Sequence, residues 1–191
     1  MILSTGFQAG CNMRFVTIGY IEWRKGQDLL IDAVSMLPDE LMRSAEFILI
    51  GQNTSLLAQR LADRISMLPN VIMRGTIPRD EVHDLLDNAD VLICPSREDP
   101  MPTVCAEAMM HGVPCIVSDV TGTSEYIKDG FDGIVFRSEN AEDLKDRIVW
   151  CMDHPEDIIE MGRRSREIYR RVFSEEAFEQ NLLKNVKEMI G

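Results

Sequence analysis

The sequence has no GxxxxGK followed by Ser or Thr, no GxGxxG after a strand-like run, no DxD and no HExxH. Gly51, Gln52 and Asn53 stand where a dinucleotide fingerprint could begin, but the glycines that would let the backbone approach a pyrophosphate are missing, so a dinucleotide oxidoreductase is not expected. No metal site is expected either. Positive charge is scarce: 20 Lys and Arg face 32 Asp and Glu, for a formal net charge of −12. A duplex nucleic-acid binder needs a basic face to meet phosphates, which argues against a nucleic-acid partner. No apolar run approaches the roughly 18 residues of a membrane span, and the first residues show no charged segment followed by a long apolar one. Neither a transmembrane segment nor a leader is expected. The five cysteines (Cys11, Cys94, Cys105, Cys115, Cys151) are odd in number and never spaced CxxC. They read as reduced thiols in apolar runs, which suits a cytoplasmic protein. Only His83, His111 and His154 could act as imidazole bases. His111, just before Gly112, reads as a helix C-terminal cap, and no general base stands out.

What is present is ordinary globular material, 45% hydrophobic over 191 residues, enough for one sizeable core. Apolar, β-rich runs fall at residues 15–18, 47–50, 71–73, 91–94, 114–117 and 133–136. Helical patterns lie between them at 27–36, 56–67, 79–87 and 103–111, with a short turn near 124–127. Strands alternating with helices predict an α/β fold whose crossovers form right-handed βαβ units. Beyond residue 140 strands stop, and helices are expected at 141–152, 155–171 and 175–190. The last carries Phe178, Leu182, Val186, Met189 and Ile190 on one face, which needs a cover. The chain divides into an irregular lead-in or interdomain remnant (1–13), a Rossmann-like domain (14–173) and this C-terminal helix (174–191).

The most informative segment is residues 95–119, PSREDPMPTVCAEAMMHGVPCIVSD, where Asp99 and Glu107 stand eight positions apart. Pro95, Pro100 and Pro102 forbid a regular helix through Asp99, whereas good helix formers follow and Gly112 can end them. One carboxylate therefore sits in a loop and the other inside the next helix, at the carboxyl edge of a sheet, where ligands bind. A carboxylate offers only acceptors, so a vicinal diol on ribose or a sugar ring is its natural small-molecule partner. Taken alone Glu107 reads first as a surface glutamate, but Ala106, Ala108 and Met109 make its helix otherwise apolar, where a solvated glutamate has little reason to sit; Asp99 could equally be a turn residue before Pro100. Pro100 and Pro102 lack N–H groups, leaving Met101, Thr103 and Val104 as amide donors for an anion at the helix start. Arg24 and Lys25, before Gly26, could neutralise a diphosphate or simply be solvated.

The segment FVTIGYIEWRKGQDLL (15–30), Leu49-Ile-Gly, residues 71–75, Asp90-Val-Leu-Ile-Cys-Pro-Ser, Glu107-Ala-Met-Met-His-Gly-Val-Pro and Ser118-Asp-Val-Thr-Gly with Glu125 follow one another in order. Their order and spacing resemble the carboxyl-terminal, donor-binding domain of retaining glycosyltransferases of the GT-B fold, the group 1 family, over about residues 14 to 190. The resemblance implies a six-stranded parallel sheet with helices on both faces, and no cofactor beyond a nucleoside-diphosphate sugar as donor. It implies that Glu107 binds the ribose hydroxyls and that Asp99 lies beside the transferred sugar with Glu98 adjacent. Met101, Thr103 and Val104 would meet the sugar and distal phosphate, and Lys25 and Arg24 the diphosphate. Asp99, Lys25 and Arg24 would be the catalytic set. Gly19 at the end of the first strand would border the donor, and Thr76 and Ile77 the base. The family usually has glutamate where Asp99 stands, and many relatives have Arg where Tyr20 follows Gly19. The implied partners are an amino-terminal acceptor-binding domain and a carbohydrate or lipid-linked acceptor, with cytoplasmic placement or peripheral attachment to the inner membrane face. A separate donor-binding subunit and a sugar-nucleotide epimerase on the same fold are the alternatives.

Overall fold

The computed structural model describes residues 12–190; Cys11 and most of the expected lead-in lie outside the described residues. Six strands, β1 (Met13–Ile18), β2 (Ala45–Ile50), β3 (Val71–Arg74), β4 (Val91–Cys94), β5 (Cys115–Ser118) and β6 (Ile134–Phe136), form one sheet in the order β3-β2-β1-β4-β5-β6. Every pairing is parallel. The strands read as continuous apolar runs because both faces are covered, as a parallel sheet requires.

The helices are α1 (Gln27–Ser35), α2 (Asp39–Met42), α3 (Leu56–Ile65), α4 (Arg79–Asp87), α5 (Thr103–His111), α6 (Ala141–Asp153), α7 (Pro155–Ile168) and α8 (Glu175–Ile190). Alternation along each strand splits the core in two. Phe15 and Phe47, stacked with centroids 5.0 Å apart, join Leu30, Leu61 and Ile148 under α1, α3 and α6. On the opposite face Val16, Leu92 and Val117 meet Leu86, Cys105 and Ile168 of α4, α5 and α7. Burying a side chain of this size is worth about 1.5 to 3 kcal/mol, so these two layers hold the sheet edge to a fixed shape.

The expected elements are found, with small shifts. Pro114 cannot donate to a ladder, so β5 starts one residue later, although the Pro114 carbonyl still accepts from the Leu92 amide. The four-residue α2 carries too little period to be read from sequence. The helix expected to run to residue 171 ends at Ile168 and widens into a π-turn, Tyr169–Phe173, closed by the Ser174 amide on the Tyr169 carbonyl at 2.9 Å. That turn brings Phe173 edge-on to Tyr126, 5.4 Å between centroids.

The chain runs from β1 outward to β2 and β3, then returns to the other side of β1 for β4. The crevice between the carboxyl ends of β1 and β4 is therefore the topological switch point, the usual place for a ligand in an open α/β sheet.

Candidate functional site at the sheet switch point

Two loops leave the sheet at this crevice. The first, after β1, contains the 3-10 turn Trp23–Lys25, which closes on Gly26 at φ 71°. The second, after β4, descends through the prolines to Asp99 and into α5. They touch closely: a Cβ at Gly26 would lie 1.9 Å from the Pro95 carbonyl oxygen, so only glycine fits, both for space and for the left-handed backbone. The Arg24 carbonyl accepts from the Arg97 amide at 2.8 Å, and the Thr17 hydroxyl donates to the Ile93 carbonyl at 3.0 Å below.

This approach brings Lys25 and Asp99 together from 74 positions apart, with Nζ 2.5 Å from Oδ2. Asp99 is 7% exposed. Its backbone bridges to Thr121, its carbonyl accepts from the Gly122 amide at 3.1 Å, and a Cβ at Gly122 would meet the Pro100 carbonyl. The two charges thus neutralise each other in a largely dry place.

Beyond Asp99, α5 opens with Pro102 as N-cap and no side-chain cap. The Cys105 amide is taken by the Pro102 carbonyl, whereas the amides of Thr103 and Val104 in the first turn have no described hydrogen-bond partner. Val104 lines a small pocket with Lys25, Gln27, Thr17 and Ser96 at the base of the crevice. Glu107 lies four residues on, about 6 Å along the axis, partly buried and in no described hydrogen bond or ion pair.

The remaining expected residues are more dispersed. Arg24 turns its guanidinium to Glu22 (2.9 Å) and to the carbonyl of Glu98 (3.2 Å), the residue before Asp99. Gly19 caps β1 by donating to the Ile50 carbonyl at 2.9 Å. Thr76 is exposed and Ile77 half-buried on the loop after β3. Strand β3 is two places from β1, which sets that loop about 10 Å to the side of the crevice. Met101 is exposed at the rim.

One expectation is corrected. His111 does not cap α5: its ring lies 2.7 Å from Asp87 Oδ1 and 2.8 Å from His83 Nδ1, drawn to α4 by a carboxylate. The helix closes on Gly112 at φ 76°, whose amide donates to the Met109 carbonyl at 3.0 Å, and the side chain that serves the last carbonyls is Arg166 of α7, whose guanidinium donates to those of Met110 and His111 at 3.1 and 2.9 Å. The thiols are structural. Cys94, Cys105, Cys115 and Cys151 are buried and unpaired by disulfides. Hydrogen bonding within the Cys94, Cys105 and Cys115 cluster, with burial, pushes the Cys94 and Cys105 thiols well up, and burial raises Cys151.

Two charged residues to which the motifs drew no attention meet at the turn that carries Lys25, where Arg97 donates to the Trp23 carbonyl at 2.7 Å. Arg97 grips Asp28 of α1 through two bonds of 2.8 Å each. No local signal links positions 69 apart; a basic residue next to the Asp99 loop was the only hint.

The model of the family described as Glycosyl transferases group 1 matches residues 12–168. Among curated relatives, an N,N'-diacetylbacillosaminyl-diphospho-undecaprenol alpha-1,3-N-acetylgalactosaminyltransferase of Campylobacter jejuni is 29% identical over 69% of this chain and 33% of its own length. The lipopolysaccharide glucosyltransferase WaaG of Escherichia coli is 27% identical over 66% of this chain and 33% of its own. Among solved structures, Anabaena Alr3699/HepE in complex with UDP-glucose superposes with a TM-score of 0.80 at 20% identity, over 93% of this chain and 49% of that one. The chain thus spans about a third of these relatives' length and about half of that solved protein. No described helix is long and apolar enough to cross a membrane. With the family model matching most of its length and its six-stranded parallel sheet wound as in the C-terminal half of the GT-B fold, the chain belongs to the Glycosyl transferases group 1 family.

Proposed function

We propose that this chain is the nucleotide-sugar-binding half of a glycosyltransferase that moves a hexosyl group, with retention, from a nucleoside diphosphate to a carbohydrate or lipid-linked acceptor. The observation that carries this reading is the meeting of Lys25, Asp99 and the uncapped start of α5 at the switch point of the sheet. An ammonium and fixed N–H groups converging on one crevice suit a diphosphate, because they are already oriented where negative charge grows as the nucleotide departs. Lys25 contacts the diphosphate, with Arg24 turning from Glu22 to join it. Met101, Thr103 and Val104 present backbone to the sugar and distal phosphate, and Asp99, with Glu98 beside it, faces the sugar. Glu107 receives the ribose hydroxyls, Gly19 borders the donor, and Thr76 and Ile77 border the base. The UDP-glucose bound by Alr3699/HepE supports a nucleotide sugar as ligand of this fold.

Acceptor recognition falls to an amino-terminal domain that the relatives' greater length supports as a partner, so the chain alone binds donor without efficient turnover. Phe178, Leu182, Leu183 and Val186 of α8 are 66, 50, 60 and 42% exposed, and this apolar side forms the junction with that domain. The expectation for Met189 and Ile190 lies outside the described side chains. Reduced, buried thiols suit a cytoplasmic enzyme, with any membrane contact peripheral.

The test is a thermal-shift screen of UDP, GDP, ADP and their hexose conjugates. A ligand at a hundred times its Kd stabilises the fold by about 2.7 kcal/mol, a rise in Tm of about 5 to 10 °C for a domain of this size. If none of the diphosphates moves Tm while the chain unfolds cooperatively, the reading fails.

A further inference from the structure

The 3-10 turn that carries Lys25 has no buried side chain of its own, and its preceding residue, Glu22, makes no side-chain cap. Packing therefore does not hold it. What it does have is Arg97, whose side chain is 11% exposed. The guanidinium grips both oxygens of Asp28 at 2.8 Å, donates to the Trp23 carbonyl at 2.7 Å and to Glu139 at 3.2 Å, and lies over the Trp23 ring, 4.9 Å from its centroid. Its own amide donates to the Arg24 carbonyl. One side chain, two residues before Asp99, thus ties together the first turn of α1, the Lys25 turn and the Asp99 loop. A planar fork bound at both ends allows little rotation, which a single-point ammonium would not prevent.

We propose that Arg97 is a positioning residue: clasped to Asp28 and to the Trp23 carbonyl, it holds the Lys25 turn against the Asp99 loop so that the ammonium is presented to the donor diphosphate. This rests on the donor-site reading above. In this role Arg97 acts on the turn and leaves the ligand contact to Lys25. Its effect passes through Lys25, which separates it from a residue that merely stabilises the fold.

The test is a double-mutant cycle read by calorimetry on the full chain, with whichever of UDP, GDP and ADP binds the wild type most tightly and with the matching nucleoside. Arg97→Met should weaken the diphosphate about five- to tenfold, leave the nucleoside within about twofold, and cost nothing further once Lys25→Ala is present. The inference is overturned if Arg97→Met binds diphosphate like the wild type, if nucleoside affinity falls as much as diphosphate affinity, or if the whole loss persists in the Lys25→Ala background. Should Lys25→Ala alone leave diphosphate binding unchanged, the donor-site reading itself falls and takes this role with it. If Arg97→Met does not fold, Arg97→Lys, which keeps the charge but not the fork, enters the same cycle with an expected loss of about threefold and the same criteria.

Discussion

Glu107→Ala is the cleanest probe of the donor site, because the carboxylate has no described protein partner to leave behind. It sits in the second turn of α5, partly buried, between Ala106 and the fully buried Ala108. Alanine is at least as good a helix former, and no buried donor is orphaned, so the fold should change by no more than about 0.5 kcal/mol. A charge-assisted pair of hydrogen bonds to ribose is worth about 1.5 to 3 kcal/mol, which converts to a loss of roughly ten- to a hundredfold in nucleoside-diphosphate affinity. Calorimetry with the ribose and 2'-deoxyribose forms of the same diphosphate makes the assignment specific. Wild type should prefer the ribose form, and Glu107→Ala should bind both alike. A variant that melts with the wild type yet keeps its affinity, or that weakens both forms equally while preserving their ratio, refutes the ribose contact.

Replacing Asp99 with Asn removes the partner that now occupies Lys25, so free diphosphate should bind tighter by about two- to fivefold while the ratio of sugar-conjugate to diphosphate affinity falls; an unchanged ratio would separate Asp99 from the sugar. Burial raises the Asp90 carboxyl above its ordinary 3.8, against the opposing amide and charge of Arg14, so the folded state holds that proton more tightly than the unfolded one. This stabilisation is complete below pH 3.8 and fades as pH rises through the higher folded value, so Asp90→Asn should gain on the wild type in urea melts as pH is raised above 3.8, and a constant difference would contradict it. Cys94, Cys105 and Cys151, with raised pKa values, should resist thiol reagents at about pH 8 until the chain is unfolded, and rapid native labelling would be the contrary result. Amides of α8 should exchange more slowly in a protein that includes the amino-terminal domain than in this chain, and equal protection in both would remove that helix from the junction.

What could be read from the residues was whatever is written locally. A parallel strand buried on both faces is a short apolar run, so β1 to β6 were recognisable within a few residues. The prolines around Asp99 and the glycine after His111 are local constraints too, and they set the start and end of α5 as found. The misreading of His111 shows where such reasoning stops. Its position next to Gly112 is right for a cap, but the competition between the α5 carbonyls and the Asp87 carboxylate is decided by α4 on one side and by Arg166, 55 positions away, on the other. The same limit hid Arg97. Its neighbours in sequence suggest a ligand-binding loop, while its partners are spread over Trp23, Asp28 and Glu139 and exist only after the sheet has brought β1 and β4 side by side.

That difference bears on which residues can be exchanged. Glu107 has no described side-chain partner, so its replacement is expected to alter ligand affinity with little strain in the fold, whereas replacing Lys25 also leaves the buried Asp99 carboxylate without its partner. Gly26 and Arg97 reach inward, between the same two loops, one by having no side chain where the Pro95 carbonyl passes and the other by bridging the Lys25 turn to α1 with a bidentate ion pair to Asp28. Any side chain at Gly26 would force the loops apart and move Lys25 off Asp99, so Gly26→Ala should copy the phosphate-selective defect of Arg97→Met at a greater cost in stability. A Gly26→Ala protein that folds and keeps its diphosphate affinity would mean that the spacing of the loops does not govern the placement of the ammonium.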